Sequence, residues 1–454
     1  MKQTLRAYLS LVDGDYADIR YERMERTRIE LRGKELTEIG SNVTDGYVVR
    51  LLKSGGFATA SVTRASDLES AMKRATLNAL AMAGDGENKV GLTLPPCVEH
   101  ESLPKLDEDP RAVFPEEKLA LLKNYNSLVT GFRDIITTSA VYEETIRYRY
   151  FVNSMGTWVH EPLITSSISI RMVAGRDGIF QNGRAVVGSS DGFLKIRNRD
   201  EVFQKKAETV TRLLDAEPVP SGRYNVVLNP EMAGVFIHEA FGHFSEADLI
   251  EHNPSLREKM KIGARLGSGC LTIVDDPAME GQIGFYRFDD EGVEGRRVVL
   301  MDQGILSGRL HSMRTAFAYG ESLTGHAVAE DSRYAPIVRM GCIFACPGES
   351  GVDELISKAG DGLYVLDSKG GQTSGESFTF GAQYGYLIRN GKPGPMVRDM
   401  NLMGNLFSTL LDVEGVSSEL VISETGGCGK GQMNIRSAMG GPHMLIRNVK
   451  VGGV

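Results

Sequence analysis

His238, Glu239 and His243 fall within the six-residue run HEAFGH. Two imidazoles on one short stretch offer nitrogen ligands to a transition metal, and a carboxylate beside the first can take a proton from water that the metal acidifies. That is the equipment of metal-assisted hydrolysis. In the commonest arrangement of this kind the histidines stand four apart on a helix, whereas here they stand five apart. At about 100° per residue, a regular helix would leave the second side chain roughly 140° from the first. The spacing therefore predicts a π-type turn or a helix end between Ala240 and His243, with Gly242 the residue best able to take an unusual backbone.

A catalytic zinc ion needs a third protein ligand and an open position. Glu246, Asp248, Glu251 and His252 are close in sequence. Cys428 is remote, in ETGGCGKGQ, where glycines at 426, 427, 429 and 431 let the backbone approach another element. The residues alone leave this choice open. The competing view is a buried helix with two hydrogen-bonded histidines, and a tight turn around a small apolar cysteine. Phe236, Ile237, Ala240, Phe241 and Phe244 surround the three polar residues, as expected if these meet a common partner in a buried helix. Cys342 and Cys346 in CIFAC are spaced like some zinc ligands, but no second pair accompanies them, and core or loop cysteines are the plainer reading.

The element carrying the hexapeptide is well signalled. Asn229 is a good N-cap, Pro230 suits the first helical position, and Glu231 favours the positive end of the dipole. A strand-like YNVVL precedes it, after the Pro/Gly/Ser stretch DAEPVPSGR from Asp215 to Arg223. A domain break there divides the chain into residues 1–215 and 216–454. In the first part, Tyr21 to Val62 and Tyr142 to Phe180 resemble each other as short-strand segments with Arg50 and Arg171 in matching places. Each precedes an amphipathic helix, Asp67 to Ala83 or Asp200 to Leu214, which predicts an internal duplication. The second part is rich in alternating strands, with Asn390 and Gly391 as a hairpin turn. The expected class is α+β: an N-terminal duplicated α/β domain with antiparallel sheets, and a β-rich C-terminal catalytic domain.

The 454 residues are 41% hydrophobic and 24% charged, which fits a soluble globular protein. The formal net charge of −8 argues against a nucleic-acid surface. Five cysteines, sparse and odd in number, point to a reducing compartment. The N-terminal stretch has no apolar signal region, and no segment approaches the roughly 20 apolar residues of a membrane helix, so the expectation is a cytoplasmic protein.

HEAFGH together with the late GGCGKGQ loop resembles the TldD branch of the TldD/PmbA peptidases, historically labelled modulators of DNA gyrase. The likeness runs along RYERMERTRIELRGKELTEIGSNVTDGYVVR, IVDDPAMEGQIGFYRFDDEGVEG, DSRYAPIVRM and GGQTSGESFTFGAQYGYLIRNGK. The resemblance implies that His238, His243 and Cys428 bind zinc and that Glu239 acts as general base in hydrolysis of peptides or unfolded segments. It further implies a dimer, with an identical chain or a TldE/PmbA-like subunit. His326, Arg333, Arg339 and Lys430 are candidate donors to a tetrahedral oxyanion, and Gln372 a candidate for orienting substrate. The alternative to an enzyme is a non-catalytic zinc-containing binding or regulatory protein of the gyrase-modulator type, in which Glu246 or His252 would close the coordination as a fourth ligand.

Overall fold

Strands far longer than the average of five or six residues build the first half of the chain. The computed structural model describes residues 1–84 and 89–453. Helix Lys2–Leu9 precedes strands Tyr16–Arg32, Glu35–Lys53 and Gly56–Val62, and helix Leu68–Ala81 follows them. The order then repeats: helix Pro115–Thr130, strands Ile135–Asn153, Trp158–Arg176 and Ile179–Ser189, and helix Asp200–Arg212. The first strands of the two units pair antiparallel at the middle of one sheet, Tyr21 opposite Tyr150. Register is shared as well. Tyr21 faces Tyr47 as Tyr142 faces Ile168, and Asp18 faces Arg50 as Ser139 faces Arg171. This is the register a duplicated unit would keep, although the two arginines differ in setting: Arg50 is buried and Arg171 exposed.

Side chains alternate across a strand, so each strand of this sheet must satisfy two environments. On one face, Ala17, Ile19, Val49 and Leu51 pack on Leu68, Ala71 and Ala75, while Tyr142, Ile168 and Ile170 pack on Leu122, Tyr125 and Phe203. The alternate residues Asp18, Arg20, Glu22, Arg50, Arg147, Arg149 and Glu161 are charged, yet all are buried. The second half of the chain covers them. Arg20 pairs with Asp290 at 3.1 Å and donates to the carbonyls of Asp331 and Tyr334. Arg50 bridges Asp18 and Glu291, Arg149 bridges Glu161 and Asp290, and Arg147 joins Glu22 to the Ala329 carbonyl. An ionic layer therefore joins the halves, alongside small apolar clusters such as Phe151, Val159 and Phe288.

We place the division between the halves after Asp215, because strand Glu217–Pro218 already pairs with Val397–Arg398. In the second half, strands Gly222–Leu228, Gly362–Ser374, Ser377–Arg389, Lys392–Asn405 and Met444–Gly453 close into a barrel, the last two meeting through Met400 opposite Gly453. Asn390 and Gly391 take positive φ in the tight turn, as their dipeptide predicts. The α+β class holds. The barrel closure is an addition that no local signal marks. A second sheet, built on Ile273–Asp275, Cys342–Ala345 and Ala438–Gly441, lies against it. Helix Pro230–Ile237 fills the space between the two, with Phe236 and Phe241 sharing one core with Phe378, Phe380, Ile273 and Ile343. Its approach to strand Ala438–Gly441 is close enough that a Cβ on Gly234 would stand 3.0 Å from the Gly440 backbone. No helix among the described residues is long and apolar enough to cross a membrane.

Asp290 shows what the ionic layer requires. Burial alone would raise its carboxyl, but Arg20, Arg149 and Arg147 outweigh it and hold the group down to about 2. Asp290→Asn leaves these guanidiniums short of charge and should destabilise the protein by about 3–5 kcal/mol at pH 7, read from urea unfolding. A folded-state pKa below the unfolded value gives stability that is complete above about pH 4 and lost as pH falls toward 2. The gap between variant and parent should close across that window.

Candidate metal centre

The histidine helix starts as its sequence predicts, with the Asn229 side chain accepting from the Met232 N–H and Pro230 in the first turn. From His238 to Gly242 the backbone forms a π turn, and a short α turn resumes at His243. One extra residue in that turn offsets the five-residue spacing and returns His243 to the side of His238. The rings stand 5.0 Å apart, nearly perpendicular. Gly242 corrects the expectation attached to it. Its φ of −52° is ordinary for a helix. Glycine is required by space, since a Cβ there would lie 2.2 Å from Met340 Sδ and 2.9 Å from Ile343 Cδ1.

Cys428 arrives from the far end of the chain. Its N–H donates to the Ile435 carbonyl and its own carbonyl accepts from the Ile435 N–H, which ties off the base of the glycine loop. Its Sγ lies 2.9 Å from His238 Nε2 and 3.3 Å from His243 Nε2. One ligand atom from each of the three residues lies within 4.8 Å of the others. Burial would push the Cys428 thiol up, but hydrogen bonds from the two imidazoles bring it down to about 6. Burial would likewise depress His243, yet Cys428 and Glu246 lift it to about 10. The donor set fits zinc: two imidazole Nε2 atoms and a thiolate supply three protein ligands and leave a position for water or substrate.

Around these atoms the other candidates sort themselves. Glu246 does not reach the cluster as a ligand; its Oε2 holds the opposite nitrogen, His243 Nδ1, at 3.1 Å. Such a contact fixes the ring and leaves Nε2 free for a metal. Glu246 is fully buried, which opposes its ionisation, but Lys430, His243 and Arg339 hold its carboxyl down to about 2. Asp248 is taken by Lys430 at 2.6 Å, Glu251 by Arg314, and His252 points to solvent with 88% of its side chain exposed. Cys342 is fully buried in strand Cys342–Ala345 and is a core cysteine, while Cys346 follows it half-buried.

Glu239 is half-buried and accepts from Thr373 Oγ1 at 3.3 Å. Gln372 lies on the same strand, but alternation sends it to the opposite, exposed face. Of the oxyanion candidates, Lys430, His326 and Arg333 are hydrogen-bonded to other partners, whereas Arg339 among the described residues is not. Lys430 donates to Asp248 and the Val338 carbonyl and forms an ion pair with Glu246, so its ammonium is committed to protein partners. His326 is buried between Asp275 and the Thr324 carbonyl, and Arg333 pairs with Asp331 at the surface. Arg339 is wholly buried with its guanidinium lacking hydrogen-bond partners among the described residues, and its Nε is 3.6 Å from Glu246 Oε1. Thr373 stands beside Gln372 in GGQTSG, and nothing in that segment marks it as the residue that meets Glu239.

Comparison with known proteins covers nearly the whole chain. Residues 17–83, 108–216 and 221–453 match, in turn, domain 1, the central domain and the C-terminal domain of the PmbA/TldA metallopeptidases. A metalloprotease of Synechocystis sp. is 36% identical over 441 residues, 97% of this chain and 95% of that one. A zinc metalloprotease TldD homolog of Saccharolobus solfataricus is 28% identical over 444 residues, 96% of each chain. Among solved structures, TldE from Thermococcus kodakarensis superposes with a TM-score of 0.79 at 18% identity, each chain covered in full. A candidate modulator of DNA gyrase from Thermotoga maritima gives a TM-score of 0.81 at 18% identity, with 99% of this chain and 100% of that one covered.

The steric origin of Gly242 can be measured. Gly242→Ala should cost about 1–3 kcal/mol of stability in urea unfolding, because the new methyl group overlaps Met340. Combined with Met340→Ala, it should cost less than the sum of the two single changes.

Proposed function

The chain belongs to the PmbA/TldA metallopeptidase family and is a metallopeptidase, and from that premise we propose that it is a zinc enzyme hydrolysing peptides or unfolded segments. The observation that carries the reading is the convergence of His238 Nε2, His243 Nε2 and Cys428 Sγ, with Glu239 the next residue after His238 in the π turn. His238, His243 and Cys428 are the proposed ligands. A zinc ion held there supplies Lewis acidity toward water and the scissile carbonyl.

The remaining steps belong to the chain itself. Glu239 follows His238 directly in the π turn, and it is only half-buried, so a substrate can reach its carboxylate. As general base it takes a proton from the attacking water and returns it to the leaving amine. Thr373 donates to one of its oxygens and holds the carboxylate in place. Strand Gly362–Ser374 offers a way to hold substrate. It pairs with Ser377–Arg389 along one edge, while on the other its pairing with Gly222–Leu228 stops at Val365. Glu231 accepts the Ser368 N–H on that edge, so an extended peptide would add beyond Ser368, along the part of the strand that carries Thr373, held by main-chain hydrogen bonds that read little sequence.

A dimer with a second copy or a TldE-like chain belongs to the same proposal, supported by the shared fold with TldE. Five unpaired thiols support a reducing, cytoplasmic setting.

Three substitutions test the assignment. Glu239→Gln should keep its zinc and lose about 100-fold or more of the rate on an unstructured peptide. Full activity with zinc retained would remove Glu239 as the base. Cys428→Ser should release zinc at a chelator concentration that leaves Cys342→Ser loaded, and the reverse order would overturn the ligand set.

A further inference from the structure

We infer that Lys430 is a positioning residue of the metal centre: its ammonium ties the loop that carries Cys428 to the carboxylate that holds His243. This rests on the ligand set proposed above. The loop cannot define its own shape. Gly426, Gly427, Gly429 and Gly431 flank Cys428 and Lys430, and Gly431 has a φ of +71°. Where Sγ stands therefore depends on what grips the loop from outside.

Two sets of contacts do so. Gln432 accepts from the Glu330 N–H and donates to the Ala335 carbonyl, and Glu330 accepts from the Met433 N–H. These fasten the far side of the loop to the segment Glu330 to Ala335, without reaching a residue that holds a ligand. Lys430 does reach one. Its Nζ lies 3.1 Å from Glu246 Oε2, the same oxygen that stands 3.1 Å from His243 Nδ1. Its other contacts are Asp248 Oδ1 at 2.6 Å and the Val338 carbonyl at 2.8 Å. Hydrogen bonds to Asp248 and the Val338 carbonyl, together with the ion pair to Glu246, commit the ammonium to two separate segments.

Desolvation gives this contact weight. Exposed lysine pairs contribute little, but Glu246 is fully buried and the Lys430 side chain is only 18% exposed. A carboxylate in that position needs a partner charge close by. Without the ammonium, Glu246 keeps Arg339 at 3.6 Å and loses the contact that fixes which oxygen faces His243. The loop at the same time loses its link to the histidine side. One charge therefore sets both the sulfur and the second imidazole.

The test is metal affinity, measured with zinc against a chromophoric chelator on the full chain. Cobalt substitution adds a reading of the thiolate-to-metal absorption band. Lys430→Met should weaken zinc binding about 10–100-fold and shift or weaken that band, while the chelated variant still melts cooperatively. Glu246→Gln should act in the same direction. The double variant should cost little more than the worse single change, since both lie on one chain of contacts. Lys430→Met with affinity within twofold of the parent, or losses that add in the double variant, would overturn the inference. Should Lys430→Met not fold, unchanged affinity in Glu246→Gln would overturn it equally. If the parent protein binds no zinc, or Cys428→Ser binds it as tightly, the ligand set itself is wrong, which is a distinguishable result.

Discussion

Five residues separate His238 from His243, and an α-helix cannot bring side chains five apart to one point. The π turn from His238 to Gly242 answers that constraint, and much of the second half can be understood as what makes the turn tenable. A π turn is an uncommon backbone, found mostly at functional sites, and it persists where the surroundings determine it. Here Met340 and Ile343 press on one side with no room for a Cβ, and Phe236 and Phe241 are packed into the core between barrel and sheet. The helix is thereby held along its length while its two histidines face Cys428.

The charges around the centre follow a similar logic at two scales. At the site, Glu246 is buried against His243, Lys430 and Arg339. Between the halves, Arg20, Arg50, Arg147 and Arg149 are buried against Asp290, Glu291 and carbonyls of the segment Ala329 to Tyr334. Buried ion pairs are poor sources of net stability, because desolvation consumes much of the Coulombic gain. They are good at excluding alternatives, since a shifted register would leave a charge unmatched. The segment from Ala329 to Val338 takes part in both networks: Arg20 and Arg147 hold one part of it, and Gln432 and Lys430 of the cysteine loop hold another. The N-terminal half thus contacts the segment that braces a proposed ligand without contributing a ligand itself.

What the sequence revealed was local. Asn229, Pro230 and the five-residue histidine spacing specify a capped helix with an irregular turn, and that is what forms. Asn390 and Gly391 specify a hairpin for the same reason: the information lies in the residues that make the turn. Barrel closure was not legible, because it depends on Met400 meeting Gly453, and no local pattern encodes that pairing. Arg50 looked like a partner of Arg171 in a repeated strand. Its burial depends on Glu291, some 240 residues away. Lys430 looked like a free donor beside a cysteine, because nothing in GGCGKGQ shows that Asp248, Glu246 and Val338 will surround it. Thr373 and Gln372 differ only in which face of a strand they occupy, and alternation fixes that only once the register is known.

The same distances bear on how the centre forms. Two of the converging side chains sit on a helix that starts at Pro230, and the third comes from a loop past residue 420, with barrel strands Gly362–Ser374, Ser377–Arg389 and Lys392–Asn405 between them in the chain. Closing so long a loop costs entropy that must be met before the contacts it makes can repay it. The pairing of Cys428 with Ile435 stiffens the loop locally but does not place it. Strand Ala438–Gly441, which pairs in parallel with Cys342–Ala345 and lies against the histidine helix at Gly234, brings the loop to the histidine side, where Lys430 and Gln432 grip it. The cysteine meets the imidazoles in the arrangement that this docked strand sets. The donor cluster is therefore a product of tertiary structure in the second half, and a metal that binds it would favour the folded state that alone presents all three atoms.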